Sequence, residues 1–332
     1  MKKILLAVAA IALLASCSTN DEVVKLRDNS IQVSTNLGNR LISKTTGDAT
    51  VALGVFAFTA AGHAYFADNK LSYDGTAWVL DPKQYWPIDN TIDLKFAAYG
   101  PFDDANILMA SCYATGVAFS FNHAAASVPG TDVIVSPMTA AINNGTKVDL
   151  STFGHALTQL VFKATLSQSS NPTLKVKIND LIVKSADSAN YAAGAWSTAT
   201  FGVSVDHVLV RAGTSDYTVT SSTAAVGSTN VINVIPNSVD DVTARQIYVK
   251  ATAYKEVNGA DVAVGTKELT INVDGATTPY VAKWVMGTQV VYTISLDADA
   301  VVDGDNNKKA IEFNTPQVTT WETNTTDDII SL

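Results

Sequence analysis

Apolar residues in this chain recur at every second position and nowhere with a helical period long enough to anchor an α-domain, so its fold has to be built from strands. Residues 51–59 (VALGVFAFT) set Val51, Leu53 and Val55 on one face and Phe56 and Phe58 on the other. Residues 92–99 (IDLKFAAY) place Ile92, Leu94 and Phe96 together before Gly100 and Pro101 stop the run. Tyr73-Asp74-Gly75-Thr76 has the residues of a hairpin turn. One set of such segments ends near Gly145, and a second begins at Val148, with Leu174, Val176 and Ile178 alternating. Residues 152–166 read either as one long strand or as a turn and a strand, with Leu160 and Phe162 inward. The intervals are those of antiparallel sandwiches, and 332 residues suit roughly two ordinary domains. The expected fold class is therefore all-β, built as antiparallel β-sandwich.

Only 16% of the residues are charged against 47% hydrophobic, which is enough to fill real cores. A net charge of -9 with dispersed Lys and Arg argues against a nucleic-acid partner, since phosphate neutralisation supplies most of that binding energy. The first residues are an address: Lys2 and Lys3, an apolar run from Ile4 to Leu14, then Ala15, Ser16 and Cys17. That run is shorter than the roughly 20 residues a membrane-spanning helix needs. Leu14-Ala15-Ser16-Cys17 resembles a bacterial lipobox, so residues 1–16 read as a lipoprotein signal peptide and Cys17 as the lipidation site, which would hold the N-terminus on a membrane while the body stays soluble. Asp21 and Glu22 resemble the acidic export signal of Bacteroidetes surface lipoproteins. With Cys17 acylated, Cys112 is left alone, and its small and aromatic neighbours suggest a buried, inert thiol.

Behind the cysteine, residues 29–35 (NSIQVST) put Ile31 and Val33 on one face and Ser30, Gln32 and Ser34 on the other, as in a half-buried strand. The polar run 36–50 separates it from the next strand, so this first strand is tied to its domain by a tether that a protease can cut. Removing it would open a groove for a strand of another chain.

Metal and catalytic chemistry is not indicated. His63, His123, His155 and His207 are dispersed without ligand spacing, and His155 reads as bonded to a neighbouring strand. The acidic run 297–307 lacks the residue order of a calcium loop and is expected to be a hydrophilic hairpin tip. No phosphate loop or nucleophile elbow is present, and no cofactor is expected. Trp78, Tyr85 and Trp86 admit a sugar-platform reading, against which Pro87 suggests that Trp86 anchors a strand in the core.

Several stretches taken in order resemble the fimbrillins of Bacteroidetes, subunits of lipoprotein-derived fimbriae: LGVFAF (53–58), Tyr85-Trp86-Pro87, FAAYGP (96–101), DVIVSPMTA (132–140), FGHALTQLVFK (153–163), Trp284-Val285-Met286-Gly287, YTISL (292–296), and a closing segment with Ile311, Phe313, Val318 and Trp321. The resemblance implies two tandem transthyretin-like sandwiches, 17–147 and 148–332, joined near residues 143–151. It also implies that the lipidated precursor reaches the outer membrane, that an arginine-specific or trypsin-like protease removes the first strand, and that a C-terminal strand of a neighbouring subunit fills the groove. Arg40 is the expected cleavage position and Arg27 the fallback, the remaining arginines being Arg211 and Arg245 in the second half. Ile311, Phe313, Val318 and Trp321 mark one candidate donor strand. The tail after Trp321 is polar to Asp328 and offers only Ile330 and Leu332 on one face, so a subunit that accepts a strand without giving a strong one is the other option. A donor burying four or five apolar side chains would gain on the order of 6 to 15 kcal/mol before entropy. The competing expectation is a surface lipoprotein that stays anchored at Cys17 and binds glycan or a host ligand.

Overall fold

The structure is a computed structural model that describes residues 29–35, 52–113, 115–123, 130–167, 171, 173–197, 204–226, 231–236, 245–273, 283–303 and 309–321. The first half contributes β1 (Val33–Ser34), β2 (Leu53–Thr59), β3 (Ala64–Tyr73), β4 (Trp78–Asp81), β5 (Leu94–Gly100), β6 (Ile107–Tyr113), β7 (Gly116–Asn122), β8 (Ile134–Val135), β9 (Val148–Asp149) and β10 (Gly154–His155). Eight of these form one sheet in the order β10-β8-β5-β2-β3-β4-β1-β9, whose two end strands are chain neighbours. The turn between β3 and β4 is made as its residues require: the Asp74 carboxylate accepts from the amides of Thr76 and Ala77, both at 2.8 Å, and Gly75 takes φ +99°.

The period-two pattern of β2 and β5 does more than choose a buried face. Leu53, Val55 and Ala57 of β2, with Leu94, Phe96 and Ala98 of β5, enter one core, while Phe56, Phe58, Ala97 and Tyr99 enter another on the opposite side. These two strands are the wall between two cores, so both of their alternating sets are apolar. The second of these cores is closed by a four-stranded sheet, β14-β13-β7-β6, in which β13 (Ser188–Ala192) pairs onto β7 and β14 (Ala195–Ser197) onto β13. Its centre is aromatic: Phe119 stacks on Tyr191 at 4.9 Å between ring centroids and meets Trp196 edge-on at 5.8 Å. Strand pairing therefore runs across position 148, because β9, β10, β13 and β14 all join sheets of the first half.

The remaining strands are β11 (Thr158–Leu166), β12 (Leu174–Ala186), β15 (Ser204–Val210), β16 (Tyr217–Val219), β17 (Ala224–Ala225), β18 (Val231–Val234), β19 (Gln246–Val257), β20 (Ala260–Asn272), β21 (Thr288–Leu296), β22 (Ile311–Phe313) and β23 (Gln317–Thr320). They make a six-stranded sheet, β17-β11-β21-β22 with β18 on β11 and β23 on β21, and a five-stranded sheet, β15-β12-β19-β20 with β16 on β12. Leu160, Phe162, Tyr292 and Ile294 from the first meet Val176, Ile178, Ile247 and Val249 from the second. Residues 152–166 are not one long strand: the short strand β10, a bend at Ala156 and Leu157, and β11 follow one another, with Leu160 and Phe162 fully buried. Among the described residues the pairing is antiparallel except for β1 with β9 and β11 with β21, which run parallel. Parallel partners need long crossovers, and β11 and β21 are more than a hundred residues apart in the chain.

The acidic run after β21 departs from its expectation as a hairpin tip. Residues Ala298–Asp303 form a short helix, α1, while 304–308 lie outside the described residues. The Asp297 carboxylate accepts from the Ala300 amide at 3.0 Å and starts the helix, and Ala298, Ala300 and Val301 are buried against the five-stranded sheet. Six residues are too few to show a helical period in sequence. The helix lies so close to β20 at Gly265 that a Cβ there would run into the Val301 carbonyl.

The two halves also meet at a pair of buried histidines. His123, just after β7, and His207 of β15 are 4.9 Å apart between ring centroids and nearly perpendicular. Ser185 Oγ lies 2.8 Å from His207 Nε2, and the His123 amide donates to the Asp187 carbonyl at 2.7 Å. His123 Nε2 and His207 Nδ1 are buried without hydrogen-bond partners. Burial holds both rings neutral: His123 falls to about 3, helped by repulsion from His207, and His207 to about 4 despite the opposing pull of Asp206. Both folded values lie below the ordinary 6.5, so the unfolded chain takes up protons first as pH falls. Stability is then full above about pH 6.5 and declines below it by up to about 1.4 kcal/mol per pH unit for each ring. Urea midpoints at pH 7, 6 and 5 should fall with that slope, and His123→Phe should remove about half of it.

Candidate functional site

The distinctive site is the place where the chain's first described residues sit in the eight-stranded sheet. The Ile31 amide donates to the Gln84 carbonyl at 2.8 Å and the Trp86 amide donates to the Asn29 carbonyl at 2.9 Å, with Ser30 bridged to Tyr85. Val33 then pairs with Trp78 of β4. On the other side, the Val148 amide donates to Gln32 and the Leu150 amide to Ser34, both at 2.8 Å, and the Ser34 hydroxyl donates to the Val148 carbonyl at 3.2 Å. Residues 29–35 are thus a ribbon bonded along both edges, and β1 is the strand that joins β9 to the rest of its sheet.

Side chains follow the same geometry. Ile31 and Val33 are each 5% exposed and enter a core with Leu71, Leu80, Trp86, Val148, Leu150 and Phe153, while Gln32 points to solvent. Ser30 is buried as well and receives a hydrogen bond from Gln32 Nε2 at 2.7 Å. Burying the two apolar side chains contributes about 3 to 6 kcal/mol before entropy, less than the four or five residues expected of a filling strand. The slot therefore asks its occupant for two apolar side chains two positions apart, plus a ladder of main-chain bonds.

Trp86 packs edge-on against Phe96 at 5.9 Å within this core. It is a wall of the slot and cannot serve as a sugar platform; Trp78 is half-buried against Tyr73 at 5.8 Å, and only Tyr85 of the three stands well exposed.

The expected donor residues fall into two groups. Ile311 and Phe313 of β22 are buried in the core of the second half, where Phe313 meets Tyr292 edge-on at 5.9 Å. β23, by contrast, is exposed along its whole length, with Val318 50% exposed, and is held to β21 by its edge pairing. At its end Trp321 folds back onto the first half: its indole stacks on the His155 imidazole at 3.7 Å and 5° between planes, and its amide donates to Gly287 at 2.8 Å. The Asp132 carboxylate accepts from His155 Nδ1 at 2.9 Å and orients the ring, so His155 bonds a neighbouring segment and also carries a stack that its sequence setting did not reveal.

Cys17, Arg27 and Arg40 lie outside the described residues, as does the tail 322–332. Arg211 is exposed in a turn and Arg245 is buried. Cys112 is half-buried, less enclosed than its small and aromatic neighbours in the sequence suggested. Among the described residues no cluster of three or more His, Cys, Asp or Glu side chains could hold a metal ion, and no helix is long and apolar enough to cross a membrane.

Comparison with known proteins follows the same lines. The profile of the fimbrillin-like family matches residues 40–321. Among solved structures, a fimbrial protein from Bacteroides vulgatus superposes with a TM-score of 0.61 at 16% identity, covering 88% of this chain and 99% of its own. A Bacteroides uniformis protein described as a cell adhesion protein superposes with a TM-score of 0.52, also at 16% identity, covering 88% and 98%. At such identities these two establish a shared fold. No curated protein matches the chain in sequence.

Two measurements probe the ribbon and the tail separately. Ile31→Ala combined with Val33→Ala removes roughly 3 to 5 kcal/mol from the ribbon, so exchange of the Ile31 and Val148 amides should accelerate a hundredfold or more while amides of Phe162 and Tyr292 hold their rates. Trp321→Ala should speed exchange at Gln317 and Thr319, whose amides face β21, about tenfold, as a lost aromatic pair of about 1.4 kcal/mol requires, and leave the ribbon unaffected.

Proposed function

The chain belongs to the fimbrillin-like family, and from that premise we propose that it is a structural or tip subunit of a cell-surface fimbria, without enzymatic activity, that assembles by strand exchange. In this reading the precursor is acylated at Cys17, reaches the outer membrane, and is cut after Arg40 by an arginine-specific or trypsin-like protease, with Arg27 as the second position. A cut after Arg40 sends the ribbon away with the lipid, whereas a cut after Arg27 frees the lipid and leaves the ribbon on the body. The observation that carries the proposal is the ribbon itself: it is inserted between β4 and residues 148–150, bonded on both sides, yet supplies only two apolar side chains to a core whose other walls come from elsewhere.

Removal would strip partners from two adjacent edges at once and open an apolar slot between them. Such a gap is costly in water and is filled best by another strand, whose main-chain bonds set register while its alternate side chains set specificity. The donor comes from beyond Phe313, because withdrawing Ile311 and Phe313 would empty the donor's own core. β23 gives up only edge pairing and the Trp321 stack.

Within the tail, Asp328-Ile329-Ile330-Ser331-Leu332 follows the pattern of Asn29-Ser30-Ile31-Gln32-Val33 except that Ile329 stands in the place of Ser30: Ile330 and Leu332 are spaced as Ile31 and Val33, with a polar residue between. Because the slot takes two such side chains, this segment is a sufficient donor in a second copy of the chain. The spent stack and edge bonds of the donor are offset by the ladder it forms in its neighbour.

N-terminal sequencing of sheared fibres tests the scheme. The mature protein should begin at Leu41, and Arg40→Ala should leave acylated precursor and few fibres. A fibre-free surface protein still acylated at Cys17 would instead support an anchored lipoprotein that binds a glycan or host ligand.

A further inference from the structure

Large apolar and aromatic side chains stand in solvent at the ribbon's point of arrival. Tyr85 is 53% exposed and Ile88 fully exposed, and Tyr65 stands beside them with its hydroxyl donating to the Tyr85 carbonyl at 2.9 Å. Lys83 Nζ lies 5.6 Å from the centre of the Tyr85 ring. The loop that displays Ile88 is braced on both sides. Asn144 Nδ2 donates to the Pro87 carbonyl at 2.7 Å and to Asn90 Oδ1 at 3.0 Å, and the Asp89 carboxylate accepts from the Thr91 amide at 2.9 Å and hydroxyl at 2.7 Å. An isoleucine held wholly in water by a pinned loop, next to an exposed tyrosine, has the makings of a contact surface.

The two ends of the slot are not equivalent. At Ser34 the ribbon meets Leu150, and five residues further on His155 is covered by Trp321 of the same chain. At Asn29 the side chains of Tyr85 and Ile88 stand in solvent.

We propose that the rim formed by Tyr65, Tyr85 and Ile88 is a docking surface for a second copy of this chain, the copy whose strand occupies the slot. The inference rests on strand exchange as set out above. A strand that enters in the ribbon's own direction passes Tyr85 and Ile88 before it reaches the core, so the body to which it is tethered is delivered to this end. The seven residues 322–328 between Trp321 and Ile329 reach at most roughly 25 Å, which keeps that body close. The contact joins different surfaces on the two copies, and a heterologous contact of this kind propagates an open chain.

The test uses the full-length protein cleaved by an arginine-specific protease, in native form and as Ile88→Asp and Tyr85→Ser. Both variants should melt with the native protein, since both side chains stand largely in water. Light scattering should show native chains forming, and the variants needing about tenfold higher concentration. A free peptide DIISL, which fills the slot without bringing a body, should bind native and variant proteins equally and block assembly. Variants that assemble as the native protein does, with peptide binding intact, would overturn the rim and leave strand exchange standing. A native protein that neither binds the peptide nor has its assembly blocked by it overturns strand exchange, and the rim with it.

Discussion

Every backbone amide and carbonyl at a buried sheet edge needs a partner, and in the first half of this protein that requirement is met at one place by a ribbon with few other ties. Residues 29–35 satisfy the edge of β4 and the segment after Val148 together, and β9 reaches its sheet through them. An unpartnered polar backbone group costs free energy comparable to a lost hydrogen bond, so the ribbon matters more for the bonds it completes than for the area it buries. This asymmetry lets one segment be essential to a closed sheet and still be replaceable by another of similar pattern.

The rest of the first half supports such a replacement. β2 and β5, buried on both faces, hold the core under the ribbon and the aromatic core behind it, and neither depends on Ile31 or Val33 for more than part of its contacts. The four-stranded sheet that closes the aromatic core borrows β13 and β14 from further along the chain, and the neutral histidines His123 and His207 lie where the halves touch. The body around the ribbon is thereby knitted from both parts of the sequence.

At the other end of the chain the balance is similar but weaker. β22 is anchored by Ile311 and Phe313, whereas β23 is an exposed edge strand fastened by its ladder and by one indole stacked on one imidazole. The body thus divides into a part that must stay folded and two terminal strands with modest ties. In the proposed polymer, a segment that is easily spared meets a slot that is poorly served when empty.

Much of this was legible in the residues. Period-two alternation with turn chemistry sufficed for the all-β class, for the inward faces of β2, β5 and β11, for the Asp74-Gly75 turn, and for Ile31 and Val33 as one face of a strand, because local backbone geometry ties side-chain direction to sequence position. The short helix α1 escaped because six residues carry no period. What only the tertiary structure decided was pairing: that β1 lies between β4 and β9, that β11 runs parallel to β21, that β13 and β14 cross to the first half, that Trp86 is a wall and not a platform, and that Trp321 lies on His155. Partners far apart in sequence are chosen by which edges and faces remain unsatisfied once the chain is packed, and no local pattern encodes that choice.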